Sequence, residues 1–452
     1  MYLAYSLLLT LGLLILVPRF IFQAIAHGKY VAGFRERLGL IPDLGHEVKP
    51  VIWIHCVSVG ETQAARPLVR HLYSEFPHHL LVISTITQTG QQLAREVFKD
   101  QVAQVFYFPF DWRWSVRRAL SRINPSAVLI METELWPNFL RECQSREIPV
   151  ALVNGRISRQ SFRRYRLVTP FISRVLSALQ VALMQSDADA ERIESLGMSA
   201  DRIFVTGNLK FDVAPAPATA ITEEIRNRFR LEPNTPLLLA ASTHAPEEKI
   251  IVESLLNLKH SYKNPVRLLL APRHPERFQE VASILQSSGL KWARRTQAPG
   301  EGDYDAEVIL LDTIGELPAT YSLASIVFVG GSIIDRGGHN VLEPAAVGAC
   351  IVTGAHTSNF RAIVDLLEKG NALLQLSPSD ASGAATLLSN ALLELLMDSE
   401  RRIRMGARAK QLFDDNRGAT EKTIRIISTV MPNKLPLNSV TDSFLPSNAP
   451  GS

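Results

Sequence analysis

The chain has 452 residues, 46% hydrophobic content and a formal net charge of +4. That length implies two domains, since single cores rarely grow past roughly 250–300 residues. So mild a charge excludes a chain-wide field for nucleic acid and leaves anion binding to local patches. The three cysteines, Cys56, Cys143 and Cys350, are widely separated with no CxxC spacing, which excludes a disulfide framework or zinc knuckle and fits a reducing compartment.

The first element is an apolar N-terminus. Residues 3–17 carry no charge and only Ser6, Thr10 and Gly12 break their apolar character; Pro18 and Arg19 interrupt the run before 20–26 resume it. No basic segment precedes it, as one would in a secretory signal. Arg19, Lys29, Arg35 and Arg37 follow it, which places the remainder of the chain on the cytoplasmic side. The run is a little short of the ~20 residues that span a bilayer. It is therefore expected to span with Arg19 snorkelling or to lie in the interface as an anchor. The plain alternative is a buried core helix.

Residues 50–210 alternate apolar strands with helical patterns. Strands are expected at 51–54, 80–84, 104–108, 127–131, 150–153, 181–184 and 203–206, with helices such as 62–75 and 91–98 between them. This rhythm implies a parallel, doubly wound sheet whose ligands bind beyond the carboxyl ends of the strands. Ser58-Val59-Gly60-Glu61 follows the first strand, and Glu132-Thr133-Glu134-Leu135-Trp136-Pro137-Asn138 the fourth. In extended chain Glu132 and Glu134 point the same way. Clustered carboxylates are costly unless paired or used, so these favour a polar site, although each alone is commonly a helix cap. Arg156, Arg159, Arg163, Arg164 and Arg166 come next. Such a run suits an anionic head group bidentately, against the plainer reading of a solvated helix face. With only Phe162 and Tyr165 as stacking platforms, it argues weakly for nucleic acid. Gly207-Asn208-Leu209-Lys210-Phe211-Asp212 closes this half, and Pro- and Ala-rich 213–221 reads as a linker.

A second strand set follows at 237–241, 266–270, 308–311, 326–329 and 350–352. These strands end in Ser242-Thr243-His244, Pro272-Arg273-His274-Pro275, Asp312-Thr313-Ile314-Gly315-Glu316-Leu317, a glycine-rich stretch and Thr353-Gly354. Arg273 can neutralise a phosphate, and Ser242 and Thr243 can donate to it. The stretch from Gly330 to Gly348 reads as strand, glycine loop and helix start at Pro344, a geometry that aims backbone N–H groups at an anion. Glu343 beside it offers two acceptor oxygens to adjacent ribose hydroxyls. Neither half opens with G-x-G-x-x-G, and no Walker loop is present, which counts against NAD and ATP. His244, His274, His339 and His356 have no metal-ligand spacing. Residues 391–425 are strongly helical, and 432–452 read as a disordered tail.

Six of these motifs, in order, resemble the 3-deoxy-D-manno-octulosonic acid (Kdo) transferases of lipopolysaccharide assembly: those containing Glu61, Glu132, Lys210 and Arg273, the stretch 312–317, and Gly337-Gly338-His339-Asn340-Val341-Leu342-Glu343-Pro344. The likeness covers roughly residues 1–425. It implies an α/β GT-B architecture: two Rossmann-like parallel-sheet domains facing a cleft, with an N-terminal membrane-anchoring helix. On that pattern the anchor occupies 1–26, the acceptor-binding domain 27–212, a linker 213–235, the CMP-sugar-binding domain 236–410 and a C-terminal helix 411–431.

The resemblance further implies an inverting, metal-independent enzyme at the cytoplasmic side of the inner membrane. It would have no cofactor beyond the donor substrate, CMP-Kdo, and a lipid A precursor as acceptor. Glu61 would be the general base, and Glu132 and Lys210 would stabilise the transition state. Pro272, Arg273, Ile314, Gly315, Glu316, Asn340, Val341, Leu342 and Glu343 would hold CMP. The sequence departs from the family pattern at Val341, where proline is common, and at Ala245-Pro246, where an acidic–glycine pair is usual; altered loop geometry is expected, not loss of activity. Two other readings stay open: a GT-B transferase using a UDP-sugar, similar to lipid-A-disaccharide synthase, and a non-catalytic lipid-binding membrane protein.

Overall fold

The computed structural model describes residues 1–27, 33–44, 49–212, 220–232 and 234–431, with side chains up to residue 15 in the first stretch. The expected tail, 432–452, lies outside the described residues, as do 213–219 of the expected linker. The chain forms two compact units: Met1–Val213 together with Arg417–Ser452, and Ala214–Asn416.

In the first unit seven strands form one sheet: β1 (Val51–His55), β2 (Leu80–Thr85), β3 (Gln104–Tyr107), β4 (Pro125–Met131), β5 (Val150–Gly155), β6 (Val181–Met184) and β7 (Ile203–Val205). Their order is β3-β2-β1-β4-β5-β6-β7 and every pairing is parallel. All seven expected strands form. The continuous apolar runs are explained by burial on both faces. Val51, Trp53, Val128 and Ile130 enter one core, and Ile52, Ile54, Leu129 and Met131 the other. Trp53 anchors the first against Phe106 and Phe139, with ring centroids 5.2 and 5.1 Å away.

The second unit repeats the plan with β8 (Leu237–Thr243), β9 (Arg267–Pro272), β10 (Trp292–Arg294), β11 (Val308–Leu310), β12 (Ile326–Val329), β13 (Cys350–Thr353) and β14 (Leu373–Gln375), all parallel in the order β10-β11-β9-β8-β12-β13-β14. The sequence predicts five of these. β10 and β14, three residues each at the two edges of the sheet, are not among them. In each sheet the strand order reverses once, between β1 and β4 and between β8 and β12. Such switch points open crevices at the strands' carboxyl ends.

Three helical expectations change. The 62–75 segment is two helices, Val59–Ala64 and Arg66–Glu75, because Pro67 cannot donate into a continuous ladder. The 391–425 segment is parts of three: Ala381–Met397, Ser399–Asp415 and Ala419–Val430. Asp398 caps the second and Gly418, at φ +90°, begins the third. That last helix returns to the first unit. Ala419, Ile424 and Ile427 pack with Leu68, Leu72 and Leu209, and Asp212 accepts hydrogen bonds from the Gly418 and Thr420 amides. Within the expected linker, Ala220–Arg228 is helical.

The N-terminal segment is one helix, Tyr2–His27, running through Pro18. Among the described residues no helix is long and apolar enough to cross a membrane, so the spanning form of the anchor is unsupported. The buried-core alternative also fails. Leu3, Leu7, Leu8, Leu11, Leu14 and Ile15 are exposed, while a polar stripe faces the unit. Ser6 accepts from the Asn138 amide at 3.1 Å and Thr10 from Trp112 Nε1 at 3.1 Å. Tyr2 and Tyr5 pack on Phe171.

Candidate functional site

The first cluster sits at the β1–β4 switch point. Beyond β1 the chain turns into the helix Val59–Ala64, whose third residue is Glu61. Its carboxylate accepts the Val57 amide at 2.7 Å and the Ser58 hydroxyl at 3.3 Å. These bonds tie Glu61 to the turn that precedes its helix and leave the helix's own first-turn amides uncapped by it. The group is only 7% exposed. Burial, then the Glu132 charge and more weakly Glu134, push its carboxyl up to about 8, against the opposing Val57 and Ser58 bonds. A carboxyl in that range exchanges a proton near neutral pH.

Glu132 follows β4 with φ +55°, a left-handed conformation a non-glycine residue rarely holds without functional or tertiary cause. Its backbone N–H is tied to the Val153 carbonyl at 2.9 Å, and its carboxylate lies 3.8 Å from Lys210 Nζ. Glu134 is half-buried, and its carboxyl is raised by burial and by Glu132. Lys210 rides on the short turn Leu209–Asp212, which packs against the Glu61 helix. The fold thus gathers Glu61, Glu132 and Lys210, which are far apart in sequence.

Three side-chain amides hold the lysine turn: Asn208, which lies inside the 207–212 motif, and Asn154 and Gln185, to which the sequence reading gave no role. Asn154, at the end of β5 with φ +55°, accepts the Leu209 amide at 3.0 Å. Its carbonyl accepts from Gln185, whose own side chain accepts from Asn208. Asn208 accepts the Lys210 amide at 3.1 Å. The signal was Asn154-Gly155 at a strand end. Beside this cluster, the helix Arg159–Arg166 packs Phe162 and Tyr165 on the core and exposes Arg159, Arg163, Arg164 and Arg166. The Tyr165 hydroxyl is raised by burial and by the Glu134 charge, which locates this helix near the carboxylates.

The second cluster surrounds the β8–β12 switch point. The expected helix at Pro344 is a single turn, Leu342–Ala346, so a macrodipole aimed at an anion does not form. Nor are the N–H groups after Gly330-Gly331 open to a ligand. Glu247, fully buried, accepts the Gly331, Ser332, Ile333 and His244 amides at 2.7–3.1 Å. The protein fills that anion nest with its own carboxylate. Gly330 is required there, since a Cβ would sit 2.7 Å from the Ser242 carbonyl oxygen and 3.0 Å from Glu247.

The remaining positions sort by what they present. Pro272, Val341 and Leu342 are buried, so their side chains build the wall. Arg273 is exposed after β9, its amide bonded to the Thr243 carbonyl at 2.9 Å. Ile314 is 81% exposed and precedes Gly315 at φ +88°. The Glu316 carboxylate is engaged by Arg295 at 2.9 and 3.1 Å and by Thr313, which fixes that turn. Asn340 donates to Glu343 at 3.0 Å, and the buried Tyr321 hydroxyl also bonds to Glu343. Tyr321, which no motif flagged, orients the carboxylate that would meet a ribose. His244 Nε2 and His339 Nε2 are 2.7 Å apart, with His274 edge-on to His244. Among the described residues no three His, Cys, Asp or Glu side chains converge as metal ligands.

The family model described as "3-Deoxy-D-manno-octulosonic-acid transferase (kdotransferase)" matches residues 32–213. A 3-deoxy-D-manno-octulosonic acid transferase from Haemophilus influenzae is 34% identical over 402 residues, 88% of this chain and 91% of that protein. One from Bordetella pertussis is 36% identical over 378 residues, 82% of this chain and 86% of that protein. Among solved structures, UDP-GlcNAc 2-epimerase from Neisseria meningitidis bound to UDP-GlcNAc aligns with a TM-score of 0.56 at 14% identity, covering 84% of this chain and all of that one, and shares the fold alone.

Proposed function

The chain belongs to the 3-deoxy-D-manno-octulosonic acid transferase family, and from that premise we propose that it moves Kdo from CMP-Kdo to a hydroxyl of a lipid A precursor, with inversion and without a metal ion. The observation that carries the mechanism is the Glu61 carboxyl, raised to about 8 at a sheet switch point beside Glu132 and Lys210. Glu61 takes the acceptor proton as the hydroxyl oxygen attacks the anomeric carbon from the face opposite CMP. The C–O bond to phosphate breaks and its electron pair leaves with CMP. The anomeric carbon then has oxocarbenium character beside the sugar's own carboxylate. Lys210, steadied by Glu132, offsets that negative charge or the charge on the departing phosphate. CMP is a good leaving group, so the step makes no demand for a divalent cation.

In the second unit Arg273 faces the phosphate and Glu343, oriented by Tyr321 and Asn340, faces the ribose. Ile314 and Gly315 border the nucleotide, while Glu316 holds their turn through Arg295. The exposed arginines of Arg159–Arg166 suit the phosphates of the lipid acceptor. The leucine ridge of the N-terminal helix suits an interfacial anchor at the cytoplasmic side of the inner membrane. The test is product analysis by mass spectrometry with purified lipid A precursor. CMP-Kdo is expected to yield a Kdo adduct, and turnover with a UDP-sugar instead would overturn the donor assignment.

A further inference from the structure

The two facing histidines of the second unit have a geometry that the transfer reaction leaves unexplained. Their ring planes differ by 2°, their centroids are 5.0 Å apart and their Nε2 atoms 2.7 Å apart. Two parallel rings whose nitrogens approach that closely meet edge to edge in one plane, not face to face. Each Nε2 then points along the other's in-plane lone pair, and one hydrogen must lie between them, because two bare lone pairs or two N–H groups would repel at that distance.

Two arginines and a third imidazole surround the pair, and that imidazole, His274, faces the Glu276 carboxylate at 3.6 Å. His274 stands edge-on to His244 at 5.0 Å, and the Arg273 and Arg336 charges both act on His244. Arg273 and His274 act on His339 too. Two carboxylates lie near His244, and both are engaged. Glu248 is gripped by Arg277 at 2.6 and 3.1 Å and by the Thr243 hydroxyl. Glu247 is turned onto backbone amides. Burial and the neighbouring positive charges lower the proton affinity of His244 and take His339 down to about 4. In the free protein the pair therefore holds its shared hydrogen and no net charge.

We propose that His244 and His339 form a proton-linked phosphate site: the pair takes up one proton when the phosphate of the donor nucleotide arrives, and holds it as the charge on that phosphate grows. This rests on the nucleotide reading above and names the group that would answer the phosphate. The balance is simple. The donor's phosphodiester has one negative charge; breaking the bond to the sugar sends the electron pair to a phosphate oxygen and leaves a monoester with two. A cation shared by two imidazoles, with Arg273 alongside, offsets the second charge.

Calorimetry of CMP binding to the full chain at pH 7.5, in buffers of differing ionisation enthalpy, reads the proton count. Free CMP phosphate, with a second pKa near ~6, is already ionised there. Uptake of about half a proton or more per CMP is expected, with affinity rising by up to about tenfold per pH unit lowered. Cytidine, which lacks the phosphate, should bind without uptake, and His339→Gln and His244→Gln should bind CMP more weakly with the uptake gone. CMP binding without proton uptake, equal uptake with cytidine, or unchanged uptake in both folded variants would overturn the pair's role and leave the nucleotide reading standing. Failure of CMP to bind the wild type at all would overturn the nucleotide reading and this inference with it. The CMP–cytidine contrast needs no variant, so absence of phosphate-linked uptake overturns the pair's role even if the substitutions unfold the second unit.

Discussion

At the residue scale the decisive group is Glu61, because its pKa is set by what surrounds it. Its carboxyl is raised to about 8 from a usual value near 4.5, with burial as the largest cause. The base form thus grows in as pH rises, and kcat/KM should climb through about pH 8; a flat profile between pH 6 and 9 would remove Glu61 as the base. Glu61→Gln should lower turnover roughly a hundred- to ten-thousand-fold while leaving CMP affinity unchanged. The same shift has a stability consequence of definite sign. The folded state holds the proton between about 4.5 and 8 where the unfolded chain has lost it, so Glu61 disfavours folding increasingly as pH rises through that window. Thermal melts of Glu61→Gln should therefore rise relative to wild type on going from pH 5 to pH 9. The residue type and its strand-end position were legible in the sequence. The shift was not, since Glu132 is seventy-one positions away along the chain and only the sheet brings it near.

At the element scale the glycine stretch changed its role. The sequence pointed to an anion nest and a helix start, yet the first glycine pair packs against Glu247 and the helix is one turn long. Pattern alone shows that backbone N–H groups are offered, not which acceptor takes them. Gly330→Ala should destabilise the second unit by about 1–3 kcal/mol, read as a lowered melting temperature, because the neighbours of the added carbon are backbone atoms and a buried carboxylate. The N-terminal helix makes the complementary case. Its apolar run was legible, but only packing separates the docked stripe at Ser6 and Thr10 from the exposed ridge. Replacing Leu3, Leu7 and Leu11 by Ser should weaken co-sedimentation with anionic vesicles by more than about a hundredfold and leave the melting temperature unchanged.

At the scale of the whole molecule, the last helix belongs to the first unit although the second unit precedes it in sequence. Ending the chain after residue 416 would strip Ile424 and Ile427 from the core beneath Leu68 and Leu72 and free both oxygens of Asp212. The first unit should lose about 5 kcal/mol and melt at lower temperature, while the second keeps its transition. By itself the sequence determined the two parallel sheets and twelve of their fourteen strands, because a strand buried on both faces must be apolar throughout and so announces itself. It also determined, through six ordered motifs, the family. Tertiary structure alone decided which carboxylates share a field, which amides clamp Lys210, where Glu247 spends its charge and that two histidines ninety-five positions apart meet edge to edge. Those are properties of pairs in space. Local sequence fixes what each strand end carries, but the order of the strands in the sheet decides what it meets.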